Sequence, residues 1–284
     1  MPKLPWASII SYVDWVGFRA MPFPSKLIFT VTPGRSGTQY LTHLLEHVPG
    51  VTATHEPEPN FASILRRSKI YPEKAFAFLR DMKLPEIAKC ETPIYAETSH
   101  VICKGFIEPM IIMGLRPSLI CLRRPPREVA WSHYHRNSVP MRSENGTHFL
   151  LAPTDPFVLP FYEHESASDY QMCFWYALEM ERRMFHYRVM AMQLGLEWTE
   201  ITNLELNDFE KFCKMLRDLN IAFEPDAAFR AMHAEVSAQS HNMNPSKHEF
   251  LEELIAQEEA VWQRVSYFDP LLRHQISKAY GFEV

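Results

Sequence analysis

The chain has 284 residues, 46% hydrophobic and 22% charged, and its 29 Lys and Arg against 34 Asp and Glu leave a formal net charge of −5 with His neutral. Such a chain has apolar side chains enough for a large core and too few charges for whole-chain disorder. Its acidic balance argues against nucleic acid as a partner, because counterion release needs clustered Lys and Arg.

In chain order, Leu27-Ile-Phe-Thr-Val-Thr32 is a β-prone run ending in Pro33-Gly34, and from Gly37 onward Tyr40, Leu41, Leu44, Leu45 and Val48 recur at helical spacing until Pro49-Gly50. A strand, a tight turn and a helix are predicted there. Val51 to Thr54 reads as a second strand running into His55-Glu56-Pro57, and Val101 to Lys104 and Ser118 to Leu122 as further buried strands. The last of these delivers Arg123-Arg124 at its carboxyl end, after which Pro125-Pro126 opens a helix to about Asn137. Residues 138–165, with Pro140, Pro153, Pro156, Pro160 and an Asn145-Gly146 turn signal, lack periodicity and are expected to form an irregular, lid-forming insertion. Ser166-Ala-Ser-Asp169 is a capping-box pattern before a long apolar helix from Tyr170 to Leu194, closed by Gly195. Glu197 to Asn203 is predicted as the last strand, followed by helices around Asp208 to Leu219, Lys247 to Val265 and Asp269 to Tyr280. Strands alternating with helices define an α/β fold of three layers, a central parallel sheet flanked by helices, expected to form one domain over residues 1–284.

The five cysteines, Cys90, Cys103, Cys121, Cys173 and Cys213, are scattered without a C-x-x-C pair, which supplies neither a disulfide framework nor a zinc knuckle. The apolar stretch Leu4 to Phe18 is broken by Asp14 and falls short of the ~20 residues of a membrane span. A cytoplasmic protein without a membrane span is the expectation. His43 and His47 stand four apart on a predicted helix but have no third ligand, so no metal site is expected.

The sharpest chemical feature is Thr32-Pro33-Gly34-Arg35-Ser36-Gly37-Thr38, where a strand hands over to a helix. Small residues at that place let backbone N–H groups turn inward around an anion, and the helix amino terminus adds partial positive charge, so a phosphate is the natural guest. Arg35 and the hydroxyls of Ser36 and Thr38 would add hydrogen bonds. A nucleoside triphosphatase loop would need Lys after Gly37, where Thr38 stands. The second feature is Arg124-Pro-Pro-Arg-Glu-Val-Ala-Trp-Ser132, within a segment from Arg123 to Arg142 that holds five arginines and one acid, Glu128. Arg124 at a strand end and Ser132 two turns into the next helix could grip a second phosphate from two sides.

Together the two motifs resemble the cofactor sites of sulfotransferases that use 3′-phosphoadenosine-5′-phosphosulfate (PAPS). In that family a P-R-S-G-T-like loop holds the 5′-phosphosulfate and an R-x-P-[RK]-[DE]-x-x-x-S segment the 3′-phosphate. Here the first carries an extra Gly34 after the proline, and the second is Arg124, Pro126, Arg127, Glu128 and Ser132. The resemblance implies a P-loop-like fold and a cofactor site of Gly34, Arg35, Ser36, Gly37, Thr38, Gln39, Arg124 and Ser132. It also implies metal-free, in-line transfer of a sulfuryl group to a hydroxyl or amine of a small-molecule or carbohydrate acceptor, natural-product tailoring being one setting, with adenosine 3′,5′-bisphosphate (PAP) leaving. Arg35 would stabilise the leaving phosphate. Glu56 is the first choice of general base, His55 and His100 the alternatives, and Lys104 resembles the family lysine that approaches the sulfuryl group. The late R-x-G loop of the cytosolic sulfotransferases is missing, and Asn242 to His248 is the remaining candidate for late nucleotide contacts. A non-catalytic nucleotide-binding relative and a small-molecule kinase are the alternative readings.

Overall fold

The computed structural model describes residues 23–239 and 252–281. The Leu4 to Phe18 stretch, the start of the Lys247 to Val265 helix and the Asn242 to His248 segment lie wholly or partly outside them. The elements run β1 (Lys26–Val31), α1 (Thr38–Glu46), β2 (Val51–His55), α2 (Ala62–Ile70), α3 (Glu73–Phe78), α4 (Leu84–Ile87), β3 (Ile94–Thr98), α5 (Ile107–Ile112), β4 (Ser118–Arg123), α6 (Pro126–His135), α7 (Glu144–Phe149), α8 (Asp169–Leu194), β5 (Trp198–Thr202), α9 (Phe209–Asp218), α10 (Ala227–Ala238), α11 (Glu252–Ser266) and α12 (Leu272–Tyr280).

The five strands form one parallel sheet in the order β2-β3-β1-β4-β5, with helices on both faces. Successive side chains of a strand point to opposite faces, and each face has its own core. Phe29, Val31, Leu119 and Cys121 pack to one side, Ile28, Ile120, Leu122 and Ile201 to the other. The chain builds β2 and β3 on one side of β1 and then crosses to β4 and β5. The strand order thus reverses at β1, and parallel sheets leave a crevice beyond the carboxyl ends at such a point.

α8 is buried nearly all round in its first half and covers the first face, lying against α6 and α11. Phe174, at 0% exposure, is among the side chains it buries, each such burial contributing about 1.5–3 kcal/mol. Its capping box sits two residues later than the sequence pattern suggests: Ser168 Oγ accepts from Gln171 N at 3.2 Å, and Gln171 Oε1 accepts from Ser168 N at 2.9 Å.

Three expectations change. Val101 to Lys104 is not a strand; Ile102–Lys104 is a 3₁₀ turn, and the sheet's third strand is Ile94–Thr98 just before it. A buried charge hid that strand, since Glu97 interrupts the apolar run yet is held inside by Lys83 Nζ at 2.9 Å and the Tyr95 hydroxyl at 2.8 Å. The 138–165 stretch is partly regular, with Asn145-Gly146 inside α7 rather than in a turn. Ser143 caps α7, and a Cβ on Gly146 would stand 1.8 Å from the Val139 carbonyl oxygen, so only glycine allows that approach. The stretch is fastened to α8 by Trp175 Nε1 donating to the Leu159 carbonyl at 3.0 Å and Leu159 N donating to Glu179 at 2.8 Å. Helices α2, α3 and α10 also form, where short or mixed apolar patterns gave no clear period.

Candidate active site

The Pro33 to Gly37 loop leaves β1 at the crevice. Gly34, Arg35 and Gly37 take φ of 81°, 58° and 88°, and Gly37 is the N-cap of α1. Left-handed residues alternating with right-handed ones curl a backbone around an anion, and a non-glycine such as Arg35 occupies that region at a cost in strain. Gly34 has a second reason to be glycine: a Cβ there would meet the His100 ring at 2.9 Å. The loop is braced from beneath by the Tyr176 hydroxyl, which donates to the Pro33 carbonyl at 2.7 Å, and by Thr98 Oγ1, which donates to the Thr38 carbonyl at 3.1 Å. The fully buried Ser36 hydroxyl donates to the Gly34 carbonyl at 2.9 Å. Its part is to close the loop.

The two motifs meet. Arg124 Nη1 donates to the Arg35 carbonyl at 2.6 Å, and Arg35 Nε donates to Ser132 Oγ at 3.2 Å. Arg124 is also paired with Glu128 at 2.9 Å, whereas its neighbour Arg123 turns into the core against Glu181 and Glu200. Alternation at a strand end explains the split: one arginine faces the crevice and one the core. Arg127 reaches away to Glu258 on α11, so it anchors a helix rather than facing the crevice.

Glu56 follows β2 with φ 47°, its carbonyl accepting from Asn60 Nδ2 at 2.9 Å. Lys83 Nζ pins the turn after it by donating to the Pro57 and Pro59 carbonyls at 3.2 and 3.1 Å. The Glu56 carboxylate lies 3.4 Å from Ser99 Oγ and 3.6 Å from His100 Nε2. His55 Nδ1 donates to the Thr98 carbonyl at 2.8 Å, which leaves its Nε2 as the acceptor nitrogen. Lys104 is fully buried, and its Nζ contacts His100 Nδ1 at 2.8 Å and the Phe149 carbonyl at 2.6 Å. It therefore stands behind His100, off the cavity wall. Burial lowers the Lys104 pKa to about 7 and, with Lys104 beside it, drives His100 well below the usual imidazole range.

A cavity of about 480 Å³ opens in the crevice. Of the candidate residues, Gly34, Arg35, Gly37, Thr38, Gln39, His55, Glu56, His100 and Arg124 line it, whereas Ser36, Ser132 and Lys104 lie off its wall. Sequence reasoning missed Tyr40, His133, Asn203, Asn207 and Ser237 on its wall. Asn203 could have been found, since it follows β5 at the sheet's carboxyl edge. The Tyr40 hydroxyl joins Asn207 Oδ1 at 2.9 Å and Ser237 Oγ at 2.7 Å, a contact among three elements that no local pattern announces.

A second cavity of about 370 Å³ adjoins the first, and Arg35, His100 and His133 line both. Burial, with Arg136 and Arg124 close by, lowers the Arg35 pKa to about 10, so it stays a cation at neutral pH. His133 is lowered to about 3 by burial and then by Lys104 and Arg35, against a weak upward pull from the Pro33 carbonyl. Among the described residues neither of its ring nitrogens meets a partner in full hydrogen-bond geometry, the Pro33 carbonyl being the polar group beside the ring. Among the described residues no group of three His, Cys, Asp or Glu could hold a metal ion, and no helix is long and apolar enough to cross a membrane.

No protein-family model and no curated protein matches the chain. Among solved structures it is similar to the mouse sulfotransferase SULT7A1 complexed with PAP, at 12% identity over 95% of each chain with a TM-score of 0.49. It is similar also to the sulfotransferase domain of the Synechococcus PCC 7002 olefin synthase, at 12% identity over 85% of this chain and 96% of that one, TM-score 0.44. A third is the sulfotransferase domain from the curacin biosynthetic pathway, at 14% identity over 92% and 99%, TM-score 0.46. These are likenesses in the course of the chain alone.

Proposed function

We propose that the chain transfers a sulfuryl group from PAPS to a hydroxyl or amine of a small acceptor and releases PAP. The observation that carries this reading is the seam between the two anion motifs, in which Arg124 donates to the Arg35 carbonyl at 2.6 Å and Arg35 to Ser132 at 3.2 Å. That seam makes one cradle with two cationic ends, suited to a nucleotide bearing phosphates at both its 3′ and 5′ positions. The Arg124 guanidinium beside Arg35 supports the fit, because two such crowded cations are relieved by a bound anion.

PAPS would supply the sulfuryl group and the leaving phosphate. The protein's own part begins with Arg35 and the loop before α1, which hold the charge that grows on the bridging oxygen as the S–O bond breaks. Glu56 takes the acceptor's proton as the new bond to sulfur forms. While Lys104 keeps its proton it donates to His100 Nδ1, so the ring's hydrogen sits on Nε2, which faces the Glu56 carboxylate at 3.6 Å. His100 then has no free lone pair for the acceptor, and the carboxylate has. Lys104 acts through His100 as a positioning residue, and Lys83 through the turn that carries Glu56.

A thermal-shift titration with PAP, against ATP with and without Mg²⁺, tests the reading. A selective, metal-independent rise with PAP is expected; a rise confined to Mg-ATP would replace this function with the kinase reading.

A further inference from the structure

Resting on that transfer reading, we propose that the second cavity binds the acceptor and that the acceptor is a small hydroxy acid, its hydroxyl at the junction of the two cavities and its anionic group on Arg136. Besides the three junction residues, the cavity is walled by Arg136, Ser138, Asn145, Phe149 and Leu150. At about 370 Å³ it is at the small end of ligand pockets and suits a single ring or a short chain.

The charge pattern selects the class. Of the five arginines between positions 123 and 142, Arg123 is paired with Glu181 and Glu200, Arg124 with Glu128, Arg127 with Glu258 and Arg142 with Asp169. Arg136 has no acidic partner among the described residues, and it lines the second cavity but not the first. Among the described residues no carboxylate lines the second cavity, and the formal charges on its wall at neutral pH are the guanidiniums of Arg35 and Arg136. Arg35 is committed to the nucleotide cradle through Ser132 and Arg124. Arg136 is thus a cation presented to whatever enters beside the nucleotide, and such a field favours a carboxylate over a neutral or cationic body. Phe149 and Leu150 give the apolar wall, and the imidazole of His133 stands at the junction, where a hydroxyl or sulfuryl oxygen would meet it. In the transfer the acceptor oxygen bonds to sulfur as the sulfur's bond to the bisphosphate oxygen breaks. The hydroxyl proton passes to Glu56 and the electron pair leaves with PAP.

The test is calorimetric titration of wild type, Arg136→Ala and Arg136→Lys, with and without saturating PAP. The probes are a panel of hydroxybenzoates, hydroxyphenylacetates and short hydroxyalkanoates, each paired with its own amide. At least one acid is expected to bind wild type roughly tenfold more tightly than its amide, a preference that vanishes in Arg136→Ala and returns in part in Arg136→Lys, with PAP affinity changed less than about threefold. If no acid outcompetes its amide, or the preference survives in Arg136→Ala, the acceptor class is wrong even where PAP binds. If the Arg136-dependent preference appears and PAP fails to bind, the anion pocket stands and the transfer reading falls.

Discussion

Glu56, His55 and His100 cluster at one end of the first cavity, and their hydrogen bonds divide their roles more sharply than their identities do. Glu56→Gln removes the carboxylate's basicity while keeping its shape; turnover is expected to fall about a hundredfold or more, with PAP affinity within about twofold. Unchanged turnover in Glu56→Gln, together with its loss in His55→Asn, would move the base to His55, whose Nε2 is the acceptor nitrogen. His133 gives a prediction about pH. Its folded pKa is lowered from 6.5 to about 3, so between those values the unfolded chain binds a proton that the folded one does not. Its share of stability is complete above pH 6.5 and is lost as pH falls toward 3, at a slope approaching about 1.4 kcal/mol per pH unit. His133→Phe keeps the aromatic packing against Tyr176, seen as an edge-to-face pair at 5.2 Å, and removes the titration. Urea denaturation at pH 7 and pH 4.5 is expected to show a smaller acid loss in the variant; equal losses would mean that His133 is protonated in the folded protein.

Among the elements, α7 and α8 position the second cavity together. α7 carries Asn145 and Phe149 onto its wall, and α8 holds the following segment through Trp175 and Glu179. Its placement depends on Gly146, since any Cβ there would collide with the Val139 carbonyl. Gly146→Ala is therefore expected to lower stability by about 1–3 kcal/mol and to weaken acceptor binding more than PAP binding, because α7 puts Asn145 and Phe149 on the wall of the second cavity. Denaturation curves and paired titrations check both halves; an unaltered stability would show that the helix shifts freely. The Asn-Gly pair looks like a turn signal in the sequence, and the Ser143 cap that turns it helical is legible only once the Val139 contact is known.

For the whole molecule, the PAP experiment has a definite scale. A ligand at about 100 times its dissociation constant stabilises the folded state by about 2.7 kcal/mol, enough to raise a domain of this size by a few degrees. Arg124→Ala should reduce that rise, because it removes the proposed phosphate partner and the hydrogen bond that joins the β4 end to the β1 loop. A rise as large as wild type at matched PAP would detach Arg124 from the nucleotide site.

The alternation of apolar runs with helical spacing was enough to read the α/β class from the chain, and the chemistry of Thr32 to Thr38 and Arg124 to Ser132 to propose two anion motifs, which the fold brings to one crevice. These are local properties: each depends on residues within a turn or two, and strand ends are marked by the glycine, proline and arginine that follow them. The third strand escaped because Glu97 is tolerated in the core through the Tyr95 hydroxyl and through Lys83, an ion pair made by a separate element. Which of two adjacent arginines faces the crevice, that Lys104 stands behind His100, and that Tyr40, Asn207 and Ser237 meet on one wall were settled by packing. Those facts depend on which faces of distant elements come together, and burial and long-range pairing decide that only when the sheet has formed.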